Sequence, residues 1–416
     1  MADIDQNSSR KPSFRIESID VLRGLAILGM IFVNDIAGVT GTPGWLKHMP
    51  THSDGMTVAD LVFPAFLFIV GMSMPFSLGR RLEQRKGLES TWMHMTIRIL
   101  SLLIIGFYMV NSYEISEKGI INPHLWIIFM YLSIIVIWNK RYDKNHLFTK
   151  TQLKFFAIGV LIILAFLFRG QGLTGIFQMR PHWWGILGLI GWAYLVAGLI
   201  FIVFRKSELG ILGGIVLLYC FYLADEAGLL IQMSFFQEFL HISYTFGSHP
   251  AIILSGALLG IMLKQDSTHS RHRNIIKKSF LFSMGLFFCG ILLHELNDFH
   301  YVFMISKNLG TVPWCLISSA LTIWIWMVVY WLLDIKGFRS WAKIIQPAGA
   351  NPLFAYILAP FVVECFALAA YLFNGFNVYS WLGNSFILGL FRATILAFSM
   401  TWLAGYMSTK GIQLKL

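Results

Sequence analysis

The chain has 416 residues, of which 56% are hydrophobic, 15% are aromatic and only 13% are charged. One soluble core of ordinary proportions cannot bury so many apolar side chains, which excludes a soluble globular protein and predicts a membrane protein. The basic residues that produce a formal net charge of +11 lie in short clusters between long apolar runs. Because they do not form one basic surface, they indicate membrane topology and predict no nucleic-acid partner.

The first 18 residues are polar and contain no apolar segment with a small-residue cleavage site. They therefore predict a cytoplasmic tail over 1–18, followed by a first apolar run that stays in the membrane. The rest of the chain shows no linker, low-complexity segment or convincing internal repeat that would divide it. We expect a single transmembrane domain over 19–410 and a cytoplasmic C-terminal tail over 411–416.

A membrane-spanning helix needs about 20 predominantly apolar residues. By this measure the sequence predicts an all-α, polytopic transmembrane bundle of about twelve spans. About ten spans are the alternative, because the fourth and fifth stretches are short. Removing two adjacent spans from the count still leaves an even number of spans. The predicted spans are 19–39, 58–79, 91–111, 123–139, 153–169, 183–204, 208–225, 249–264, 277–296, 313–334, 347–372 and 384–408.

The orientation follows from the Lys and Arg residues in the loops, because cytoplasmic loops carry an excess of them. Most basic residues fall in one alternating set of loops, which includes both ends of the chain. The other set holds only Lys47, Lys118, Arg169, Arg180 and Lys307. Both termini are therefore predicted to be cytoplasmic.

Ionisable side chains within membrane spans are costly and by default indicate function. The first span carries Asp20 and Arg23 near its start and Asn34 and Asp35 at its opposite end. Asp20 and Arg23 are three residues apart, so on a helix they can instead form a structural ion pair. Asn34 and Asp35 can equally cap or solvate the end of the span.

The loop after the first span contains two histidines, His48 and His52. Their spacing suits metal ligation on a helix, but Pro50 lies between them and no third ligand is apparent, so we predict no metal site. Asp60 begins the second span on the same predicted side of the membrane. A carboxylate there suits an orienting role, because it fixes the tautomer of an imidazole and stabilises its cation.

Further polar residues stand at the predicted extracytoplasmic ends of later spans. Arg180 precedes the sixth span, and Lys307 and Asn308 follow the ninth. Lys307 lies on the predicted side of His48, which favours a role in substrate binding. An interfacial anchor is an equally compatible interpretation of this lysine.

The first 80 residues also resemble a known family. The strings SIDVLRGLAILGMIFVND, WLKH and DGMTVADLVFPAFLFIVGMSMP resemble the heparan-α-glucosaminide N-acetyltransferase family and its bacterial relatives, within the transmembrane acyltransferase superfamily. The bacterial relatives are often catalogued as a domain of unknown function. Weaker similarity recurs in ISKNLGTVPW at 305–314, YWLLDIKG at 330–337 and PAGANPLFAY at 347–356.

The resemblance implies the roles of particular residues. His48 of the WLKH string matches the catalytic histidine, and Asn34 of FVND matches an active-site asparagine. The chain departs from the family at Ser53 and Asp54, where members commonly have a tryptophan before the glycine, so His52 stays a second candidate. Together with the positions above, the candidates for binding substrate or coenzyme A are Arg23, Asp35, Arg180, Lys307, Asn308 and Asn351.

The resemblance further implies acetyl-CoA as co-substrate and the amine of a terminal glucosamine or related amino sugar as acceptor. His48 would act as general base or as acetyl carrier, and Asp60 would orient it. Localisation in a bacterial inner (cytoplasmic) membrane follows from the bacterial relatives. The natural acceptor and the oligomeric state, with a homodimer among the alternatives, are left open.

Two other functions compete with this interpretation. Twelve spans with cytoplasmic termini are a common layout of secondary transporters and sugar flippases, although such proteins usually show two related halves. An O-acetyltransferase of cell-surface glycans is a nearer alternative. Its relatives share the aspartate and RG pattern of the first helix but carry a histidine where this chain has Asn34.

Overall fold

The structure is a computed structural model. It describes residues 16–83, 87–140, 149–172, 175, 177–183, 185–230, 240–265, 271–373, 375–414 and 416. These ranges are helical and contain no β-strand beyond isolated bridges, which confirms the predicted all-α class. Most of the predicted N-terminal tail, residues 1–15, lies outside the described residues.

Fourteen α-helices are described in these ranges. They are α1 (Glu17–Ile36), α2 (Val58–Glu83), α3 (Gly87–Ser112), α4 (Pro123–Trp138), α5 (Lys150–Leu167), α6 (Ile186–Phe204), α7 (Glu208–Glu226), α8 (His249–Gln265), α9 (Arg271–His294), α10 (Val312–Tyr330), α11 (Ala342–Ala350), α12 (Pro352–Leu372), α13 (Val378–Leu382) and α14 (Phe386–Thr409). A π-helical turn, Ser243–Ser248, leads directly into α8, and another, Trp331–Ile335, continues α10.

Ten helices in the described ranges are long and apolar enough to cross a membrane, so the chain is an integral membrane protein. The first and fourth predicted spans also form helices but do not meet that measure. Helix α1 includes Asp20, Arg23 and Asp35, and α4 has 16 residues. Charge in one helix and shortness in the other explain the difference between twelve predicted spans and ten.

The eleventh predicted span, 347–372, is wrong at its beginning. The chain leaves the helical conformation at Asn351, which has φ −134° and ψ 56°, and a separate helix begins at Pro352. Proline lacks the N–H that would continue a helix from the preceding turn but suits the first helical position. The span is therefore α12 alone, and Asn351 lies between two helices.

Helices α2 and α8 cross in direct backbone contact. A side-chain carbon added at Gly71 would overlap the carbonyl of Ile253, and one added at Gly256 would overlap the carbonyl of Phe68. Small residues permit this close approach between membrane helices. The crossing holds the start of α8 beside the start of α2, and Asp60 lies in that first turn of α2.

The orientation of the bundle stays a prediction, which cysteine labelling tests. A cysteine replacing the exposed His52 should react in intact cells with a membrane-impermeant maleimide, because its loop is predicted to be extracytoplasmic. A cysteine replacing the exposed Ser90 should react only after the membrane is opened. The unmodified chain measures labelling of the four native cysteines. Reversed accessibility of the two positions would contradict the predicted orientation.

Candidate active site

A cavity of about 520 Å³ lies among α1, α2, α3, α6, the start of α8 and its preceding π-helical turn, α12 and two loops. Its volume is within the usual range for small-molecule sites. It lies on the side predicted to be extracytoplasmic. The polar and tyrosine side chains that line it are Asn34, His48, Tyr113, Tyr244, His249, Lys307, Asn308 and Tyr356.

His48 and Asp60 form the central polar contact of this site. His48 Nδ1 lies 2.8 Å from Asp60 Oδ1, and the two side chains are 33% and 1% exposed. The second carboxylate oxygen of Asp60 accepts hydrogen bonds from the backbone N–H groups of Met49 and Thr57 and from the Thr57 hydroxyl. These donors hold the carboxylate against the loop, and Asp60 in turn holds the imidazole.

The contacts of Asp60 favour one tautomer of His48. Hydrogen positions are assigned from the hydrogen-bond network. Since Asp60 Oδ1 needs a donor, we assign the proton of His48 to Nδ1, which donates to the carboxylate. This assignment leaves Nε2 with a free lone pair, the form in which an imidazole accepts a proton.

Lys307 approaches the same pair from a distant part of the chain. Its Nζ lies 3.1 Å from His48 Nδ1 and 3.8 Å from Asp60 Oδ1. With the proton of His48 on Nδ1, the ammonium cannot donate to that atom and acts on the pair through its charge. Burial lowers the pKa of the Lys307 ammonium, and the Asp60 carboxylate acts in the opposite direction.

Hydrogen bonds fasten the loop of His48 to the loop of Lys307. Asp54 Oδ1 accepts from the Ile305 N–H at 2.8 Å, and the Gly55 N–H donates to the Ile305 carbonyl at 2.9 Å. Asn308 Nδ2 donates to the Met49 carbonyl at 3.0 Å. Gly55 has φ 131°, a conformation that favours glycine. Asp54, where the sequence departs from the family pattern, thus joins the two loops.

Asn34 lines the cavity near the end of α1. Met30, Val33 and Ala37 line the same cavity, and their spacing places all four residues on one side of the helix. The Asn34 residue is exposed toward this space. The structure therefore brings together Asn34, His48, Lys307 and Asn308, with Asp60 directly behind His48.

His52 has a different environment. It is exposed and does not occur among the described residues that line the cavity. Of the two histidines in this loop, His48 is the one that contacts Asp60 in the described structure.

Asp35 points away from the cavity lining. Its carboxylate pairs with Arg392, whose Nε lies 3.0 Å from Oδ2, and it accepts a hydrogen bond from the Tyr379 hydroxyl. The side chains of Asp35 and Arg392 are both buried. This pair joins α1 to α14, which is a structural contact.

Three other candidates also lie apart from the described cavity lining. Arg23 pairs with Asp20 at 3.2 Å, which confirms the ion pair expected from their spacing, and it donates to Ser73 and the Gly349 carbonyl. Asn351 is buried and bonds to Ile412 and Leu414 near the C-terminus. Arg180 is exposed, and its backbone pairs with the side chain of Asn111.

Sequence reasoning missed one polar residue of the cavity, His249. It lies where the eighth predicted span begins, and the residue is 3% exposed. The signal that could have found it is an ionisable residue within a membrane span. Among the described residues, no group of three or more His, Cys, Asp or Glu side chains is arranged to hold a metal ion.

Comparison with known proteins gives two mammalian relatives. The chain is 36% identical over 110 residues to the mouse heparan-alpha-glucosaminide N-acetyltransferase, a match of 26% of this chain and 16% of the relative. It is 37% identical over 97 residues to the human protein of the same name, a match of 23% of this chain and 14% of the relative. The chain thus spans less than a fifth of either relative.

A family described as a domain of unknown function, DUF5009, matches residues 15–262. This range is more than half of the chain and contains Asn34, His48, Asp60 and His249, whereas Lys307 lies beyond it. Together with the two relatives, the match confirms the resemblance inferred from the sequence. The chain belongs to the DUF5009 family.

Proposed function

We propose that this protein is a transmembrane acetyltransferase that moves an acetyl group from cytoplasmic acetyl-CoA to the amine of an amino sugar on the extracytoplasmic side. The observation that carries the proposal is the His48 and Asp60 pair at the wall of a cavity that also contains Asn34 and Lys307. The names of the mammalian relatives support N-acetyl transfer as the chemistry. In this proposal the acceptor is a terminal glucosamine or related amino sugar, and the protein lies in a bacterial inner membrane.

His48 supplies a proton acceptor at the reacting centre. A neutral imidazole is the side chain that most often accepts a proton from a reacting group near neutral pH, and here that group is the attacking amine. The amine nitrogen bonds to the thioester carbonyl carbon, the C–S bond breaks, and the proton passes through His48 Nε2 to the coenzyme A sulfur. Asp60 holds the ring through Nδ1 and stabilises its cation while the proton is on His48.

A two-step route uses the same atoms. His48 Nε2 first bonds to the thioester carbonyl carbon, the C–S bond breaks and coenzyme A leaves; the amine nitrogen then bonds to the same carbon, and the bond from carbon to Nε2 breaks. Incubation with acetyl-CoA and no acceptor separates the routes. A carrier mechanism predicts one equivalent of coenzyme A released per protein and an acetyl group found on His48 by mass spectrometry, whereas direct transfer predicts neither.

Asn34 and Lys307 line the same cavity as His48 and extend the proposed site. The Asn34 amide can donate a hydrogen bond to a carbonyl or hydroxyl oxygen of a substrate in the cavity. The Lys307 cation attracts electronegative groups of donor or acceptor and contributes positive charge near the developing negative charge. Asn308 stands beside Lys307 and holds the two loops together through Met49.

The direct test uses purified protein, acetyl-CoA labelled in the acetyl group, and glucosamine. The proposal expects label in N-acetylglucosamine, with the acetyl group on nitrogen as shown by its resistance to mild alkali. Alkali-labile label would instead indicate O-acetyl transfer. Absence of transfer, together with sugar movement across liposomes that contain the protein, would favour a transporter.

Replacing Lys307 with methionine tests its proposed role in binding. We expect the substrate KM to rise by about tenfold or more, as expected when a charge-assisted hydrogen bond is lost. Burial lowers the pKa of Lys307. The affinity of the unmodified protein for substrate should therefore decline at a lower pH than the pH at which an exposed lysine loses its proton. The methionine variant should lack that decline. Steady-state kinetics across pH measure both effects.

The matched control for this variant is Lys118→Met, which removes an exposed lysine from another loop on the same predicted side. It should leave KM unchanged. Equal yields of folded Lys307→Met and unmodified protein in size-exclusion chromatography exclude a folding defect. A KM for Lys307→Met equal to that of Lys118→Met would show that Lys307 is only an interfacial anchor.

A further inference from the structure

His249 is a buried polar residue whose hydrogen-bonding groups face no partner in the described part of the protein. The residue is 3% exposed, and neither Nδ1 nor Nε2 has a hydrogen-bond partner. Buried polar groups in native structures are nearly always satisfied, so each exception needs an explanation. His249 also lines the cavity of His48, so this unsatisfied residue lies at the wall of the proposed site.

Aromatic rings hold the His249 imidazole in a defined orientation. Its ring centroid lies 5.1 Å from that of Tyr244, 5.3 Å from that of Phe63 and 6.2 Å from that of Trp314. The residue follows the π-helical turn Ser243–Ser248, a feature often found at functional sites. The ring is therefore positioned by packing, and neither nitrogen atom is bonded to another described residue.

His249 lies deeper in the bundle than His48, on the same side of α2. His48 contacts Asp60, and His249 contacts Phe63. These two α2 residues are three positions apart, which corresponds to about 4.5 Å along the helix axis. Lys307, whose Nζ lies 3.1 Å from His48 Nδ1, lines the same cavity as both histidines. Two imidazoles and one lysine thus surround the same part of the cavity.

We infer that His249 is a second catalytic residue, whose imidazole N–H donates a hydrogen bond to the carbonyl oxygen of the acyl group during transfer. A neutral imidazole offers one N–H donor, and no protein acceptor competes for it among the described residues. This inference rests on the proposed acetyl transfer. His48 and the acceptor amine occupy the outer part of the cavity, so the deeper imidazole faces the acyl donor that arrives from the cytoplasmic side.

The step balances without a proton leaving His249. When the amine nitrogen or His48 Nε2 bonds to the carbonyl carbon, the π electron pair moves to oxygen, which accepts the hydrogen bond of His249 as an oxyanion. When the C–S bond breaks, its electron pair leaves with the coenzyme A sulfur and the carbonyl re-forms. A donor aimed at the developing oxyanion in a water-poor site stabilises the transition state more than the ground state.

Kinetics of substituted proteins test the inference first. His249→Phe keeps an aromatic ring against Phe63 and Tyr244 but removes both nitrogens, and kcat should fall by about 10²- to 10³-fold. Affinity for free coenzyme A should be unchanged, because that product has no acyl carbonyl. His249→Asn and His249→Gln place an amide donor near one or the other ring nitrogen, and at least one should recover part of the loss. The matched control, His272→Phe, removes an exposed histidine that contacts Tyr330 and should turn over normally.

Infrared spectroscopy provides a second readout that does not require turnover. Acetyl-CoA carrying ¹³C at the carbonyl, bound to His48→Ala protein, should show its carbonyl band at lower frequency than in the free compound. Adding His249→Phe should return the band toward the free position. A band that does not respond to His249→Phe, or a normal kcat for that variant, would overturn the inference.

The two readouts separate this inference from the proposed function. If the unmodified protein transfers no acetyl group but the carbonyl band depends on His249, the proposed reaction is wrong and the hydrogen bond is supported. If transfer occurs and the band is the same with and without His249, the reaction stands and the role of His249 is wrong. Loss of coenzyme A affinity in His249→Phe, matching the loss of kcat, would also count against it, because that pattern indicates a structural role.

Discussion

Replacing His48 with alanine is expected to lower turnover by about 10²- to 10⁴-fold or more, the usual range for loss of a general base or nucleophile. The expected cause is loss of the Nε2 lone pair that accepts the amine proton. Asp60 and Lys307 remain in the variant, but neither side chain puts a proton acceptor at the position of Nε2. His48 is in a loop and contributes little to helix packing, so the variant should fold and bind coenzyme A. Acetyl transfer to glucosamine and coenzyme A binding, measured on the same preparation, check both statements.

His52→Ala is the matched control, because it removes a histidine four residues away in the same loop. His52 is exposed and outside the described cavity lining, so this variant should retain most activity. Reversed phenotypes would assign the catalytic role to His52. Normal turnover in both variants would leave the proposed mechanism without a base.

Replacing Asp60 with asparagine is expected to lower kcat by about 10²- to 10⁴-fold, as in catalytic triads that lose their aspartate. The asparagine amide would donate to His48 Nδ1, which forces the ring proton onto Nε2 and removes the lone pair that accepts the amine proton. The amide oxygen can still accept from Met49 and Thr57, so the loop should keep its conformation. Steady-state kinetics together with thermal unfolding of the purified variant measure these effects separately.

Asp54→Asn is a control for this substitution, because it makes the same chemical change in the neighbouring part of the loop. Asp54 accepts from Ile305 and Asn297 and does not contact His48 in the described structure. Its kcat should change far less than that of Asp60→Asn. If both variants lose activity equally and unfold at lower temperature, loop stability would explain the effect, and an orienting role for Asp60 would be contradicted.

The sequence by itself determined the class of the protein and most of its helices. Long apolar runs and their spacing predict spans, because hydrogen bonding within a helix is local and the bilayer requires it. The WLKH and FVND strings directed attention to His48 and Asn34, and the short separation between His48 and Asp60 made their pairing reasonable. The roles of these residues stay proposals.

Hydropathy and short motifs did not predict where one helix begins, and they did not predict which of two neighbouring polar residues faces the cavity. Asn351 and Pro352 interrupt an apolar run that hydropathy treats as continuous, and the break appears in the backbone angles. In the sequence, Asp35 and its neighbour Asn34 were equally plausible candidates, because both are polar residues at the end of the first span. On the helix the two side chains point in different directions, one toward Arg392 and the other into the cavity.

Only the tertiary structure decided which distant residues meet at the site. Lys307 reaches His48 across 259 positions of the sequence, through loop contacts that no hydropathy pattern records. His249 lies at the site because α2 and α8 pack closely at Gly71 and Gly256, and this packing holds His249 beside Phe63. Hydropathy and short motifs are properties of neighbouring residues, whereas a site between helices depends on how separate helices pack, and that packing is set by side-chain shape along the whole chain.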